Sequence, residues 1–309
     1  MATILYTHPA CIEHDMGPMH PECPARLEAV LEALKGGEFD TLDRREAPRA
    51  EIDQIARVHP RDYIERILAA IPQSGLVQLD PDTAVCPRSG EAALRAAGAV
   101  CAAVDDVVSG AADNAFCAVR PPGHHAEPSR SMGFCLFNNV AVGAEQARKA
   151  HGLSRVAVMD FDVHHGNGTQ AMFWNDEDLF YASTHQSPHY PGTGSAGERG
   201  VAGNIVNAPL PPYTGSAGFR EAMQGVILPA LAEFKPEFLL ISAGFDAHAA
   251  DPLAALELTE DDFAWATREL MKIADDCCNG RVVSTLEGGY DLAALARSAA
   301  AHVRTLMKR

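Results

Sequence analysis

Along the chain, short apolar runs rich in β-branched residues alternate with longer stretches of Ala, Leu and Glu. That alternation is the signature of repeated βα units on a parallel sheet. Strands are predicted at residues 3–6, 115–119, 155–161, 179–183, 204–207, 238–242 and 281–286. Helices are predicted at 24–34, 60–70, 90–108, 139–150, 216–234, 259–275 and 292–307. The sequence Thr259-Glu260-Asp261-Asp262 supplies a capping hydroxyl and an acidic first turn for one of them. No internal repeat, low-complexity tract or Pro/Ser-rich linker interrupts the pattern.

The length, 309 residues, admits two domains without requiring them, and 47% hydrophobic with 21% charged residues is an ordinary globular composition. Disordered, collagen-like and mini-protein classes are excluded. With 25 Lys and Arg against 41 Asp and Glu, the formal charge is −16. Tracking a nucleic-acid backbone needs the opposite balance, whereas an acidic surface attracts cationic ligands. The eight cysteines include no C-x-x-C pair and read as buried free thiols of a reducing compartment. The N-terminus has no basic-then-apolar leader, and no apolar stretch reaches the ~20 residues that span a bilayer, so a cytoplasmic, non-membrane protein is expected.

Polar residues unusual for a core cluster where four predicted strands end: Arg120-Pro-Pro-Gly-His124-His125, Asp160-Phe-Asp162-Val-His164-His165, Gly244-Phe-Asp246-Ala-His248 and Glu287-Gly-Gly-Tyr290. Open parallel sheets bind ligands outside the carboxyl ends of their strands, so the four clusters are expected to share one rim. In Asp160–His164 the polar side chains alternate, which on an extended segment puts them on one side. Asp162 and His164 then offer two metal ligands, and Asp246 is the best third. Two carboxylates and an imidazole leave a position for water, as a catalytic divalent site requires. Asp246-Ala247-His248 also resembles the Asp-Ala-His of manganese ureohydrolases, but Ala250 stands where their binuclear pattern needs another aspartate. Beside a metal-bound water, His124 and His125 could act as general base and acid partner, and Tyr290 could donate to a developing oxyanion.

Taken together, these motifs resemble the zinc-dependent histone deacetylase family, in particular its class II branch and bacterial amidohydrolase relatives. The likeness also includes His20-Pro21-Glu22, Gly133-Phe134-Cys135-Leu136-Phe137-Asn138-Asn139 and Pro191-Gly192-Thr193-Gly194. It implies one α/β domain over residues 1–309, an eight-stranded, mostly parallel sheet between helices. It further implies Zn2+, or Fe2+ in its place, on Asp162, His164 and Asp246, with His124, His125 and Tyr290 catalytic. Asp160 would orient His124 and, with Ser183, help hold a structural K+. Asn167 stands where class I members carry an aspartate, and it should raise the pKa of His125 less. Phe134 and Tyr190 would wall a narrow tunnel, and the Gly133 carbonyl would meet the amide nitrogen.

The expected reaction is hydrolysis of an acyl amide on a primary amine. Leu253, where polyamine-selective relatives carry a glutamate, favours acyl-lysine in peptides or proteins; the −16 charge favours an acetylated polyamine. Asp82 reads either as an anchor for a peptide backbone or amine, or as a turn carboxylate. The segment from Cys11 to His20 is expected at the rim, restricting access or forming a contact in a homo-oligomer. A catalytically silent acyl-lysine binder would have no need of the full set of ligands, histidines and Tyr290.

Overall fold

The computed structural model describes residues 2–308. In it the strands are β1 (Thr3–Thr7), β2 (Asp43–Glu46), β3 (Val77–Gln78), β4 (Ala84–Val85), β5 (Asn114–Cys117), β6 (Val156–Asp160), β7 (Leu179–Gln186), β8 (Ile205–Leu210), β9 (Phe238–Ala243) and β10 (Val282–Leu286). Eight of them form one sheet in the order β2-β1-β5-β10-β9-β6-β7-β8, every neighbouring pair parallel, and β3 and β4 form a small antiparallel hairpin. Strands β5, β6, β9 and β10 are buried along their whole length, as a sheet covered on both faces requires.

Helices cover the two faces. On one, Leu240 of β9 approaches Gly143, which lies against Val100, so the helices Asn139–His151 and Ser89–Ser109 pack there as a pair. On the other, Ser284 of β10 hydrogen-bonds His302 at 2.8 Å, which seats the helix Leu292–Leu306. The helix Glu260–Cys278 packs beside it and starts at the Thr259–Asp262 capping box expected from the sequence. The segment 216–234 is helical throughout its predicted span, with one π turn at Met223–Ile227 just before Pro229. Proline has no N–H for the regular ladder and crowds the carbonyl four residues back, which the wider turn relieves.

Three differences from the sequence expectation have local causes. Strand β2 reads Asp-Arg-Arg-Glu, a charged edge strand with alternating exposure and no apolar run to betray it. The helices Pro9–Glu13 and Asn167–Phe173 are too short for a period to show. The expected rim segment 11–20 is partly interior, since Cys11, His14 and Met16 are buried while Glu13, Asp15, Pro18 and Met19 are exposed. Among the described residues no helix is long and apolar enough to cross a membrane.

The four polar clusters follow β5, β6, β9 and β10, which are contiguous in the sheet. Four adjacent carboxyl ends therefore deliver them to one rim.

Candidate active site

Strand β6 stops at Asp160, and the chain turns rather than continuing extended. The Asp160 carboxylate accepts from the Asp162 amide at 3.1 Å, and Asp162 accepts from the His164 amide at 2.9 Å. These successive side-chain-to-backbone turns keep the alternation expected of a strand by another route. Phe161 faces Phe245 and Phe263 in the core. Asp246 reaches the same turn from the end of β9, where its Oδ1 accepts from the Val163 amide at 2.8 Å.

The result is a buried group in which ligand atoms of Asp162, His164 and Asp246 lie within 4.8 Å of one another. His164 Nδ1 is 3.0 Å from Asp162 Oδ1 and 3.2 Å from Asp246 Oδ2. The other carboxylate oxygen of Asp162 accepts from the Gly288 amide at 2.8 Å. Asp246 Oδ2, though buried, has no hydrogen-bond donor. A buried carboxylate oxygen without a donor is costly, and a divalent cation among these donors would satisfy it. The approach is close: a Cβ on Gly288 would stand 1.9 Å from Asp246 Oδ2, and one on Gly244 2.0 Å from Asp162 Oδ2. Among the described residues this is the one cluster of metal-ligand type. His248 faces Glu260 instead, at 3.4 Å, so no second metal cluster forms around it.

The tandem histidines sit beside this group with ring centroids 4.0 Å apart. His124 Nδ1 lies 2.9 Å from Asp160 Oδ2, and His125 Nδ1 lies 2.8 Å from Asn167 Oδ1. Their surroundings shift the two rings in opposite directions. Burial disfavours a charged His124, but the Asp160 and Asp162 carboxylates outweigh it and hold the ring well above its ordinary pKa. Burial of His125, reinforced by its neighbours His124 and His164, drives it well below. His165 turns away from the ligand group to Thr193 and Gln170, at 2.7 and 3.0 Å, and pins the 190s loop.

Tyr290 lies in the turn after β10, its amide donating to Asp251 Oδ2 at 2.7 Å. The Arg26 guanidinium covers its ring at 4.8 Å from the centroid. Burial and the nearby Asp246 and Asp162 carboxylates keep the phenol protonated. Phe134 meets Tyr290 edge-on at 5.9 Å, and Tyr190 meets His125 edge-on at 5.2 Å, so both expected tunnel walls border the chemistry. Gly133 and Phe134 both have positive φ. Asp82 holds that turn, accepting from the Gly133 amide at 3.0 Å and from the Thr83 hydroxyl at 2.8 Å, while Thr83 accepts from Phe134. Both of these hydrogen bonds enter the same oxygen of Asp82, Oδ1. The Leu253 amide donates to Asp251 Oδ1 at 3.0 Å.

Asp160 and Ser183 are register partners on adjacent strands. Their side-chain oxygens are already hydrogen-bonded, to His124, Tyr181 and the Asp162 amide and to His185 respectively, so they offer no orphaned acceptor of the kind Asp246 does. Sequence reasoning missed Arg26, which donates to the Gly289 carbonyl at 2.6 Å and to the Glu287 carbonyl, and Asp251, which ties Leu253 to Tyr290. It also gave no role to Glu22, the buried carboxylate gripped by both Arg26 and Arg120. The one available signal for Glu22 was its place in the His20-Pro21-Glu22 motif.

Comparison with known proteins adds to this geometry. The histone deacetylase domain family matches residues 20–306. Over 99% of this chain and 77% of its partner, the sequence is 38% identical to histone deacetylase 14, chloroplastic, of Arabidopsis thaliana. It is 42% identical to the histone deacetylase-like amidohydrolase of Pseudomonas aeruginosa, over 87% of this chain and 71% of that one. The crystal structure of the HDA15 HD domain superposes with a TM-score of 0.93 at 33% identity, covering 99% of this chain and 88% of that one.

Proposed function

The chain belongs to the histone deacetylase family and is a deacetylase-type amidohydrolase; from that premise we propose that it removes acetyl or another acyl group from acyl-lysine in peptides or proteins. The observation that carries this reading is the convergence on one rim of the Asp162–His164–Asp246 group, the tandem histidines and Tyr290. Leu253 supports acyl-lysine over a polyamine, because an apolar side chain gives a second ammonium no counter-charge. Acetylated polyamines are the second reading, favoured by the −16 formal charge.

Asp162, His164 and Asp246 would hold zinc, which when bound supplies a Lewis acid and lowers the pKa of water. The remaining steps fall to the chain's own groups. His125, neutral and steadied by Asn167, accepts the proton of the attacking water. Tyr290 donates its phenolic hydrogen bond to the acyl oxygen as charge builds there. His124, cationic between Asp160 and Asp162, stabilises that charge, and the proton held on His125 passes to the leaving amine. Phe134 and Tyr190 exclude water from the alkyl stem.

The test is turnover of the zinc-loaded protein on an acetyl-lysine peptide, a trifluoroacetyl-lysine peptide and N-acetylputrescine, with and without chelator. Chelator-sensitive preference for the peptides is expected. Preference for N-acetylputrescine would replace acyl-lysine with the polyamine reading, and chelator-resistant turnover would remove the metal from the scheme.

A further inference from the structure

The turn Glu287–Tyr290 meets several parts of the site within four residues. The Gly288 amide holds Asp162, the Gly289 carbonyl accepts from Arg26, and the Tyr290 amide is held by Asp251. Glu287 itself is fully buried and belongs to none of the groups assigned above. One of its oxygens, Oε2, accepts from two successive backbone amides, Gly123 at 2.7 Å and His124 at 3.2 Å, while Oε1 accepts from the Ser242 hydroxyl at 3.3 Å.

These two amides belong to a buried loop. Pro121 and Pro122 before them have no N–H, and Gly123 is pressed so closely on the next element that a Cβ there would stand 2.5 Å from the Asn139 nitrogen. Glu287 is the partner the loop's amides have, and an unpaired buried amide costs about 1–3 kcal/mol. The rings of His124 and His125 are tethered at their far ends, by Asp160 and Asn167. Glu287 tethers the backbone end, and through Gly288 and Tyr290 the same turn carries the phenol and braces a metal ligand.

Resting on the deacetylase reading, we propose that Glu287 is a positioning residue for the reaction: its carboxylate fixes the backbone of the tandem histidines in register with the Tyr290 turn. Displacing a reacting group by about an ångström can cost on the order of a hundredfold in rate without weakening substrate binding. The requirement is for an acceptor at the right place, and negative charge is secondary. Glutamine keeps an acceptor oxygen for both amides and can donate to the Ser242 hydroxyl. Aspartate keeps the charge but withdraws the oxygens by one methylene, and leucine fills the space with no acceptor.

The experiment compares Glu287→Gln, Glu287→Asp and Glu287→Leu with the wild type in kcat, KM, bound metal and amide hydrogen exchange at Gly123 and His124. Expected is kcat within about threefold of wild type for Gln, and losses of about ten- to a hundredfold for Asp and Leu, with KM and metal content little changed. Exchange at the two amides should accelerate in the same order. The proposal is overturned if Asp performs as well as or better than Gln, which would make charge the role. It is also overturned if Leu keeps both turnover and amide protection, or if metal content and kcat fall while KM rises, as for a purely structural residue. Should Leu fail to fold, the Gln–Asp order still decides. If the wild type turns over no acyl-amide, the deacetylase reading fails on its own, and the exchange order still tests the tether.

Discussion

At single residues, the site divides into groups that hold a cation and groups that act on substrate, and substitutions should separate the two. Asp162→Asn and Asp246→Asn each remove a charged ligand from the 4.8 Å group and should lose bound metal and activity together, read by elemental analysis beside turnover. Tyr290→Phe keeps the ligands and loses only the phenolic donor, so metal content should hold while kcat falls by about two to three orders of magnitude. Full turnover in Tyr290→Phe would show that the phenol has been given the wrong role. His125→Ala should lower kcat by about 10²–10⁴ with metal retained, since the general base is lost and no ligand is. Most of these residues were legible in the sequence because they fall at the ends of apolar runs, where a charged side chain has no packing reason to be. Arg26 was not legible: on a helix it looks like any surface arginine, and only tertiary structure buries it against the Gly289 carbonyl.

At the level of elements, the glycine turns decide how closely strands bring their loads together. Gly288→Ala puts a methyl within 1.9 Å of Asp246 Oδ2 and, because Asp246 and the turn are both buried, should abolish metal binding without unfolding the sheet. The matched control is Gly225→Ala, where nothing lies within 4 Å; metal content and turnover there should be unchanged, with stability raised by up to about 1 kcal/mol. Equal metal content in the two variants would show that the close approach is not needed. On sequence alone, Asp160–His164 reads as an extended segment. The alternation of polar positions is common to a strand and to linked side-chain turns, so periodicity could not tell them apart. The edge strand β2 was invisible for the opposite reason, being charged where strands are usually apolar.

For the molecule as a whole, buried neutral histidines make stability depend on pH. His302 bridges Thr267 and Ser284 in the core, and burial pushes its pKa down to about 3. Between there and its ordinary 6.5 the unfolded chain binds a proton that the folded chain refuses, so stability present above about 6.5 is lost as pH falls. His59 and His185, both pushed down to about 4 by burial, act in the same direction, while Glu287 and Asp251, pushed up to about 7, act in the opposite one. The contribution of His302 is isolated by His302→Gln, whose deficit in urea unfolding relative to wild type should shrink by about 2 kcal/mol between pH 7.5 and 5.0. A deficit independent of pH would mean that His302 is protonated in the fold.

The sequence by itself determined the βα alternation, the chemistry-bearing residues and their spacing, because apolar runs, caps and clustered ligands are written locally. Only the tertiary structure decided that β5, β10, β9 and β6 are neighbours, so that residues more than 160 positions apart, Gly123 and Glu287, meet at 2.7 Å. Strand order and partner choice depend on which buried faces pack and which backbone amides lack other acceptors. Those are properties of pairs distant in sequence, and no local period records them.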